Sequence, residues 1–359
     1  MERIRVVILG TGFGRTVQVP AFQRHGGFEV AAIAGSQEAR TRQVAAELGI
    51  ERWSVEWRRL IEETRPDLVS IATPVDLHHP MAMAALESGA HVLCEKPTAL
   101  HRHQAAEIRD RAAALGRVAA INHEFRFFPA RRLALRLVGE GAIGAPRRAE
   151  ILGRYAIWPN PPARGMTWLS ERRRGGGILG ALGSHHTDCF RTLLGEPASA
   201  LASVRVGQPW RGPTATQPER ARATADDACT VEYRFAEGVT GLIDLDAAAP
   251  YRWERFEVHG AEATLRWDET GYRLWRLVPG REAEEIAIPA PLALAPREGE
   301  PALIAPFGVL VERLFRALRG EAPMEPNFDD AVAVQSALDA ARASSDSGMR
   351  IAVEIPAPV

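Results

Sequence analysis

The first stretch of the chain limits its architecture most. An unbroken apolar run, Ile4–Leu9, passes directly into Gly10-Thr11-Gly12-Phe13-Gly14 and then into a segment of helical length, 14–25. A strand, a glycine turn and a helix in that order aim backbone N–H groups at an anion such as a pyrophosphate, which the helix dipole also favours. Gly10 permits the tight turn, and Gly12 lets the backbone approach the phosphate. An ordinary βα turn can use a similar string, but the clean strand before it and the helix after it fit the nucleotide turn. The usual fingerprint puts its third glycine one residue later; here Gly14 carries it and Arg15 stands in its place. Looser helix–strand packing is expected there. Arg15 is either a phosphate contact or a solvated helix-surface residue.

The same pattern then repeats. Apolar runs at Phe28–Ala34, Leu68–Ala72, His91–Cys94 and Val118–Ile121 are separated by helix-length segments at 38–48, 78–88 and 101–115. Strands without polar alternation, interleaved with helices, predict a doubly wound parallel sheet covered on both faces. This α/β domain is expected over residues 1–122. Ligands of such sheets bind at the carboxyl ends of the strands, so the strand tips name the candidate coenzyme residues. At the second tip stand Gly35 and Ser36, followed by Arg40 and Arg42. No acid sits at that tip to accept from ribose hydroxyls, which favours a 2′-phosphate and hence NADP. NAD, with Glu38 or a backbone group on the ribose, is the alternative. At the third tip stand Thr73 and Pro74, with His78 opening the next helix, either at the coenzyme crevice or as a plain helix-start histidine.

The fourth strand ends abruptly in Glu95-Lys96-Pro97. A strand interior rejects charge, and proline cannot continue the ladder. Lys96 at that tip faces the coenzyme crevice, where an ammonium can hydrogen-bond a reacting oxygen and move its proton.

After residue 122 the texture changes. A helix is expected over 127–138 and a turn-rich link over 139–146. Runs with period-two alternation follow at Arg147–Tyr155, Ser199–Val206, Cys229–Phe235, Thr240–Asp246, Phe256–Val258, Thr264–Trp267, Arg273–Leu277 and Glu285–Ile288. They predict an antiparallel or mixed sheet. Two late helices are expected near 303–318 and 328–345, and loops over Trp210–Thr224 and Pro289–Pro301. Within this half, Gly175-Gly176-Gly177 signal close backbone approach or a mobile loop. A helix should start at Gly183 or Ser184, with Ser184 as its N-cap. His185 and Asp188 then share a face, with Cys189 one turn after His185. One imidazole with a carboxylate a turn away is a serviceable acid–base unit; a pair of structural histidines is the plainer reading of His185-His186. No His, Cys or Glu set has metal-ligand spacing.

Composition excludes several classes. The net charge of −1 gives no electrostatic case for nucleic acid or an anionic membrane. No apolar stretch approaches a membrane span, and no signal-peptide pattern precedes the first strand. Three scattered cysteines, Cys94, Cys189 and Cys229, form no disulfide framework. A cytoplasmic protein is expected.

The segments TPVDLHHPMAMAALESGAHVLCEKPTAL, NHEFRFFPA, GGGILGALGSHHTD and NFDDAVAVQSALDAARASSDSGMRIAV, with the glycine turn, resemble the glucose–fructose oxidoreductase/inositol dehydrogenase/rhizopine-catabolism (Gfo/Idh/MocA) family. The resemblance implies an N-terminal Rossmann domain and, over 123–359, an α+β domain whose large open sheet, mostly antiparallel, makes dimer or tetramer contacts. It implies NAD(P)-dependent hydride transfer at a hydroxyl or carbonyl carbon of a sugar, cyclitol or related polyol. By that likeness Lys96, preceding a cis proline, bonds the reacting oxygen. His185 is the acid–base, and Asp188 contacts substrate or orients the histidine. Glu95 and Trp168 lie at the coenzyme. The loop Trp158–Gly177, with Arg164, Trp168 and Arg172–Arg174, would carry substrate specificity. Two positions depart from the pattern. Ala181 replaces an aspartate four residues before His185, and Leu169 replaces an arginine. A dinucleotide-sensing regulator on the same fold, and a lyase or glycosidase that recycles its cofactor, remain the alternatives.

Overall fold

The computed structural model describes residues 2–158, 165–214, 217–268 and 270–359. The chain divides into two compact units: residues 1–127, 295–332 and 356–359 form the first, and 128–294 with 333–355 the second.

In the first unit, β1 (Ile4–Leu9), β2 (Phe28–Ala34), β3 (Arg52–Ser54), β4 (Leu68–Ile71), β5 (His91–Cys94) and β6 (Ala119–Ile121) make a parallel sheet in the order β3-β2-β1-β4-β5-β6. Successive strand residues point to opposite faces, so the apolar runs fill two cores. Val6, Ile8, Ile33 and Leu68 face α1 (Val19–Arg24) and α2 (Glu38–Glu47). Val7, Leu9, Val69 and Ile71 face α3 (Trp57–Thr64), α4 (His78–Glu87) and α5 (Arg102–Ala114). Each such aliphatic side chain contributes about 1.5–3 kcal/mol on full burial.

Two features differ from the sequence expectation. There are six strands rather than five, because β3 and α3 intervene between Glu47 and Leu68. Residues 295–332 also join this unit. Their helix α8 (Ile304–Leu318) lays Phe307, Leu310, Val311 and Leu314 into the first core, with Phe307 edge-on to Phe22 at 5.9 Å.

In the second unit, β7 (Pro146–Ala156), β8 (Ser199–Arg205), β11 (Ala228–Arg234), β12 (Thr240–Asp246), β13 (Ala248–Gly260), β14 (Thr264–Asp268), β15 (Leu274–Leu277), β16 (Glu284–Ile286) and β17 (Ile351–Ala352) form one sheet. Its order is β16-β15-β14-β13-β7-β12-β11-β8-β17, and only the β7–β12 pair is parallel. Both border strands, β16 and β17, are very short. A small ribbon, β9 (Trp210–Arg211) with β10 (Ala221–Arg222), interrupts the expected 210–224 loop. The sheet's inner face carries Ile151, Val231, Ile243, Phe256, Leu265 and Trp267. It packs against α6 (Pro129–Gly139), α7 (Ser184–Leu194) and residues 333–347 of α9 (Phe328–Ser347). Phe256 and Trp267 stack at 3.8 Å. β13 is far longer than the expected Phe256–Val258, and a register shift between Ala248 and Trp253 accommodates its Pro250-containing start.

The outer face is polar and half-buried. Glu150, Glu257 and His259 bring their ligand atoms within 4.8 Å of one another there. This cluster crosses β7 and β13 and so escaped sequence spacing. Its carboxylates are engaged by arginines: Arg148 lies 3.2 Å and Arg255 3.7 Å from Glu150, and Arg266 2.5 Å from Glu257. It therefore reads as an ion-pair lattice.

Candidate active site

In the first unit, residues 10–14, Gly35, Ser36, Thr73, Pro74 and Lys96 lie at or just after the carboxyl ends of the parallel strands, whereas Trp168 belongs to the second unit. Gly10 donates its N–H to the Ala34 carbonyl at 2.8 Å, and Ala72 to that of Leu9 at 2.7 Å, which ties the tips of β1, β2 and β4 together. Gly10 has φ +123°, and a Cβ there would lie 2.2 Å from the Ala72 oxygen. Gly12 is exposed, and a Cβ on it would meet nothing within 4 Å. Thr11 and Phe13 flank it, half-buried.

The displaced third glycine has a structural answer. Residues Gly14–Gln18 form a π turn before α1. Such a turn holds one more residue than an α-helical one. Gly14 thereby takes the close-packing role, since a Cβ there would sit 2.9 Å from Cγ2 of Ile8. The expectation of looser packing is corrected. Arg15 bonds both oxygens of Glu47 through Nε, at 3.1 and 3.0 Å.

At the tip of β2, Gly35 is wedged: a Cβ would lie 2.4 Å from Oγ1 of Thr41 and 2.8 Å from Cγ2 of Thr11. An acidic side chain therefore cannot occupy that position without displacing Thr11. Ser36 and Arg40 are exposed beside it.

His78 is fully buried, with Nδ1 3.0 Å from the Pro97 carbonyl and Nε2 2.9 Å from that of Thr73. It braces the tips of β4 and β5, where Thr73, Pro74 and Lys96 stand. Burial pushes the imidazole pKa down, against the carbonyls of Thr73, Pro97 and Thr98 and the charge of Asp76.

Behind Lys96 lies a buried polar chain that sequence reading missed. Ser70 Oγ donates to Gln18 Oε1 at 2.9 Å, and Gln18 Nε2 donates to Glu95 Oε1 at 3.0 Å. Asn122 Nδ2 donates to the same Glu95 oxygen at 2.6 Å. The only sequence signal is polar residues inside apolar runs, such as Ser70 in Leu68–Ile71. The chain locks the residue before Lys96, and the Lys96–Pro97 peptide is cis. Burial raises the Glu95 pKa, opposed by Lys96 and by the Asn122 and Gln18 bonds. A raised folded pKa gives stability that is full below the unfolded carboxyl pKa and lost as pH rises through the folded value. Glu95→Gln keeps an oxygen for both donors, so it should flatten this part of the pH dependence of urea unfolding. An unchanged profile would reject burial as the dominant influence.

In the second unit, the Gly-rich run leads into a π turn, Leu179–Gly183, and then α7. Ser184 is already helical (φ −59°, ψ −45°) and buried, so it is no N-cap. The glycines serve close approach: a Cβ on Gly176 would lie 2.5 Å from the carbonyl oxygens of Trp168 and Leu169. His185 and Asp188 lie on α7 and are 2% and 1% exposed. The Asp188 carboxylate is 3.6 Å from the Arg191 guanidinium one turn on. The His186 ring lies 6.5 Å from Phe256, on the core side. Trp168 is half-buried in a short turn, Trp168–Ser170. Arg172 pairs with Asp346 at 2.9 Å and Arg173 with Glu171 at 2.8 Å. Arg164 lies outside the described residues.

The family model for oxidoreductases with an NAD-binding Gfo/Idh/MocA Rossmann fold matches residues 4–123, and the model for the Gfo/Idh/MocA C-terminal domain matches 131–266. An uncharacterized oxidoreductase of Synechocystis is 27% identical over 94% of this chain and 92% of its own. A 1,5-anhydro-D-fructose reductase of Ensifer adhaerens is 30% identical over 67% of this chain and 68% of its own. A levoglucosan dehydrogenase of Pseudarthrobacter phenanthrenivorans is 30% identical over 65% and 63%. Among solved structures, a levoglucosan dehydrogenase in complex with NADH and L-sorbose shares the fold. Its TM-score is 0.88 at 23% identity, over 98% of this chain and 99% of that one. With two consecutive family models covering most of the sequence, this chain belongs to the Gfo/Idh/MocA family of oxidoreductases.

Proposed function

We propose that the protein is an NAD(P)-dependent dehydrogenase or reductase acting at a CH–OH or carbonyl carbon of a sugar, anhydrosugar, cyclitol or related polyol. The observation that carries this reading is the placement of Lys96. An ammonium stands at the carboxyl edge of the parallel sheet whose first strand leads into the glycine turn, on a tip fixed by a buried polar chain. The activities of relatives on levoglucosan and 1,5-anhydro-D-fructose, and of a Bacillus subtilis relative on scyllo-inositol, support the substrate class.

The bound nicotinamide supplies the hydride exchange. Gly10, Thr11, Gly12, Phe13 and Gly14 fit the pyrophosphate of the dinucleotide, and Thr73, Pro74 and Trp168 its remaining parts. Glu95 holds the tip behind Lys96 through Gln18 and Asn122. Lys96 donates a hydrogen bond to the substrate oxygen and favours the charge that develops on it. His185 takes the hydroxyl proton in oxidation and returns it in reduction. Asp188, its charge balanced by Arg191, orients the imidazole or meets substrate. Residues 1–122 hold the coenzyme; residues 123–359 hold the substrate and, through the outer sheet face, a second copy in a dimer or tetramer. The buried free thiols fit a cytoplasmic setting. Among the described residues no helix is long and apolar enough to cross a membrane.

NADP is the preferred coenzyme in this reading. The wedged Gly35 leaves no acid to repel a 2′-phosphate, and Ser36 and Arg40 offer a hydroxyl and a positive charge. The test is a panel of polyols, aldoses, anhydrosugars and cyclitols with each oxidised coenzyme, followed by reduced-coenzyme absorbance. We expect turnover of at least one compound, with kcat/KM at least about tenfold higher for NADP, a difference of about 1.4 kcal/mol. Tight coenzyme binding without reduction by any compound would instead indicate a sensor.

A further inference from the structure

We infer that Asp226 is a positioning residue for His185, acting from outside the helix that carries the histidine; the inference rests on the acid–base reading of His185. The first N–H groups of a helix have no partner within it. Here Asp226, just before β11, supplies two partners at the approach to α7, one from its backbone and one from its side chain. Its carbonyl accepts from Ile178 N–H at 2.9 Å, and its Oδ2 accepts from Leu179 N–H at 2.8 Å. Leu179 opens the π turn that runs into α7, and His185 is the second residue of that helix. The start of the helix is thus registered to the sheet by one buried carboxylate.

Other observations point to a built contact. Gly177, with φ +113°, passes so near that a Cβ would lie 2.1 Å from Oδ1 of Asp226. The lead-in to β11 is itself pinned, because Thr224 and Ala225 both donate to the Ser170 carbonyl, at 2.9 and 3.1 Å. The neighbouring Asp227 faces other partners. It accepts from Gly207 and Gln208 at 2.6 and 2.8 Å, so the two adjacent aspartates hold different segments. Burial favours the neutral form of Asp226, and the Leu179 N–H and Arg342 favour the carboxylate.

Displacing a catalytic group by about 1 Å costs about 100-fold in rate. The experiment compares wild type, Asp226→Ala, His185→Ala and the double variant on one substrate, with coenzyme affinity and the pH profile of kcat. We expect Asp226→Ala to lower kcat by about 100-fold while KM and coenzyme affinity stay nearly unchanged. The double variant should be no slower than His185→Ala, because the aspartate acts through the histidine. The same fold-loss in the His185→Ala background, or wild-type kcat in Asp226→Ala, would overturn the inference. Should Asp226→Ala fail to fold, Asp226→Glu carries the test. Its extra methylene overshoots the Leu179 N–H, so the same fall is expected and wild-type kcat again overturns it. Full activity of His185→Ala would be a different failure, that of the acid–base reading itself.

Discussion

Lys96→Ala is expected to bind coenzyme as wild type does and to turn over about 10³–10⁴-fold more slowly. Two effects combine in that figure. A donor aimed at developing charge on oxygen is worth about 10²–10³, and a positioned proton carrier a further factor. Coenzyme binding should survive because its candidate contacts lie on other residues: the turn from Gly10 to Gly14, the β2 tip and Thr73-Pro74. The fold should also survive, since Lys96 is only half-buried and the residue that anchors the tip is Glu95. Steady-state kinetics on the best substrate, with a fluorescence titration of reduced coenzyme, would check both halves. Activity within tenfold of wild type would remove Lys96 from the chemistry.

The second large effect is expected at Gly10→Ala. The residue has φ +123°, a region that L side chains avoid. Strain of that kind costs about 1–3 kcal/mol by itself. The added methyl would also stand 2.2 Å from the Ala72 oxygen and 2.6 Å from its carbon, and both are backbone atoms of the neighbouring strand tip. Neither can yield without moving β4 against β1. We expect a loss of about 3 kcal/mol or more in urea unfolding, and no measurable coenzyme binding at concentrations that saturate wild type. A variant that keeps both would show that the turn is not where the nucleotide docks.

Sequence alone carried much of the first unit. β1, β2 and β5 lie where the unbroken apolar runs place them, because a strand buried on both faces leaves no polar alternation to confuse the reading. β3 was invisible for the opposite reason. Arg52-Trp53-Ser54 is a three-residue edge strand in a charged stretch, too short for any period. The late helices were legible by their spacing, but which core α8 covers is a tertiary fact. Lys96 announced itself because a charge ends an apolar strand. The residues that hold it did not. Gln18 lies 77 positions from Glu95 along the chain, and Asn122 lies 27 away. Asp226 lies 47 residues from the N–H that it accepts, so no local pattern links them. The shifted glycine was read correctly as a departure, but its remedy, a π turn, belongs to the backbone.

The brevity of β16 and β17 has a consequence for how copies of this chain can meet. Exposed backbone groups along a long border recruit further strands, the route by which sheets extend into fibrils. Three residues at one margin and two at the other offer almost no template for that lateral growth. Margin-to-margin zippering of copies is thereby disfavoured.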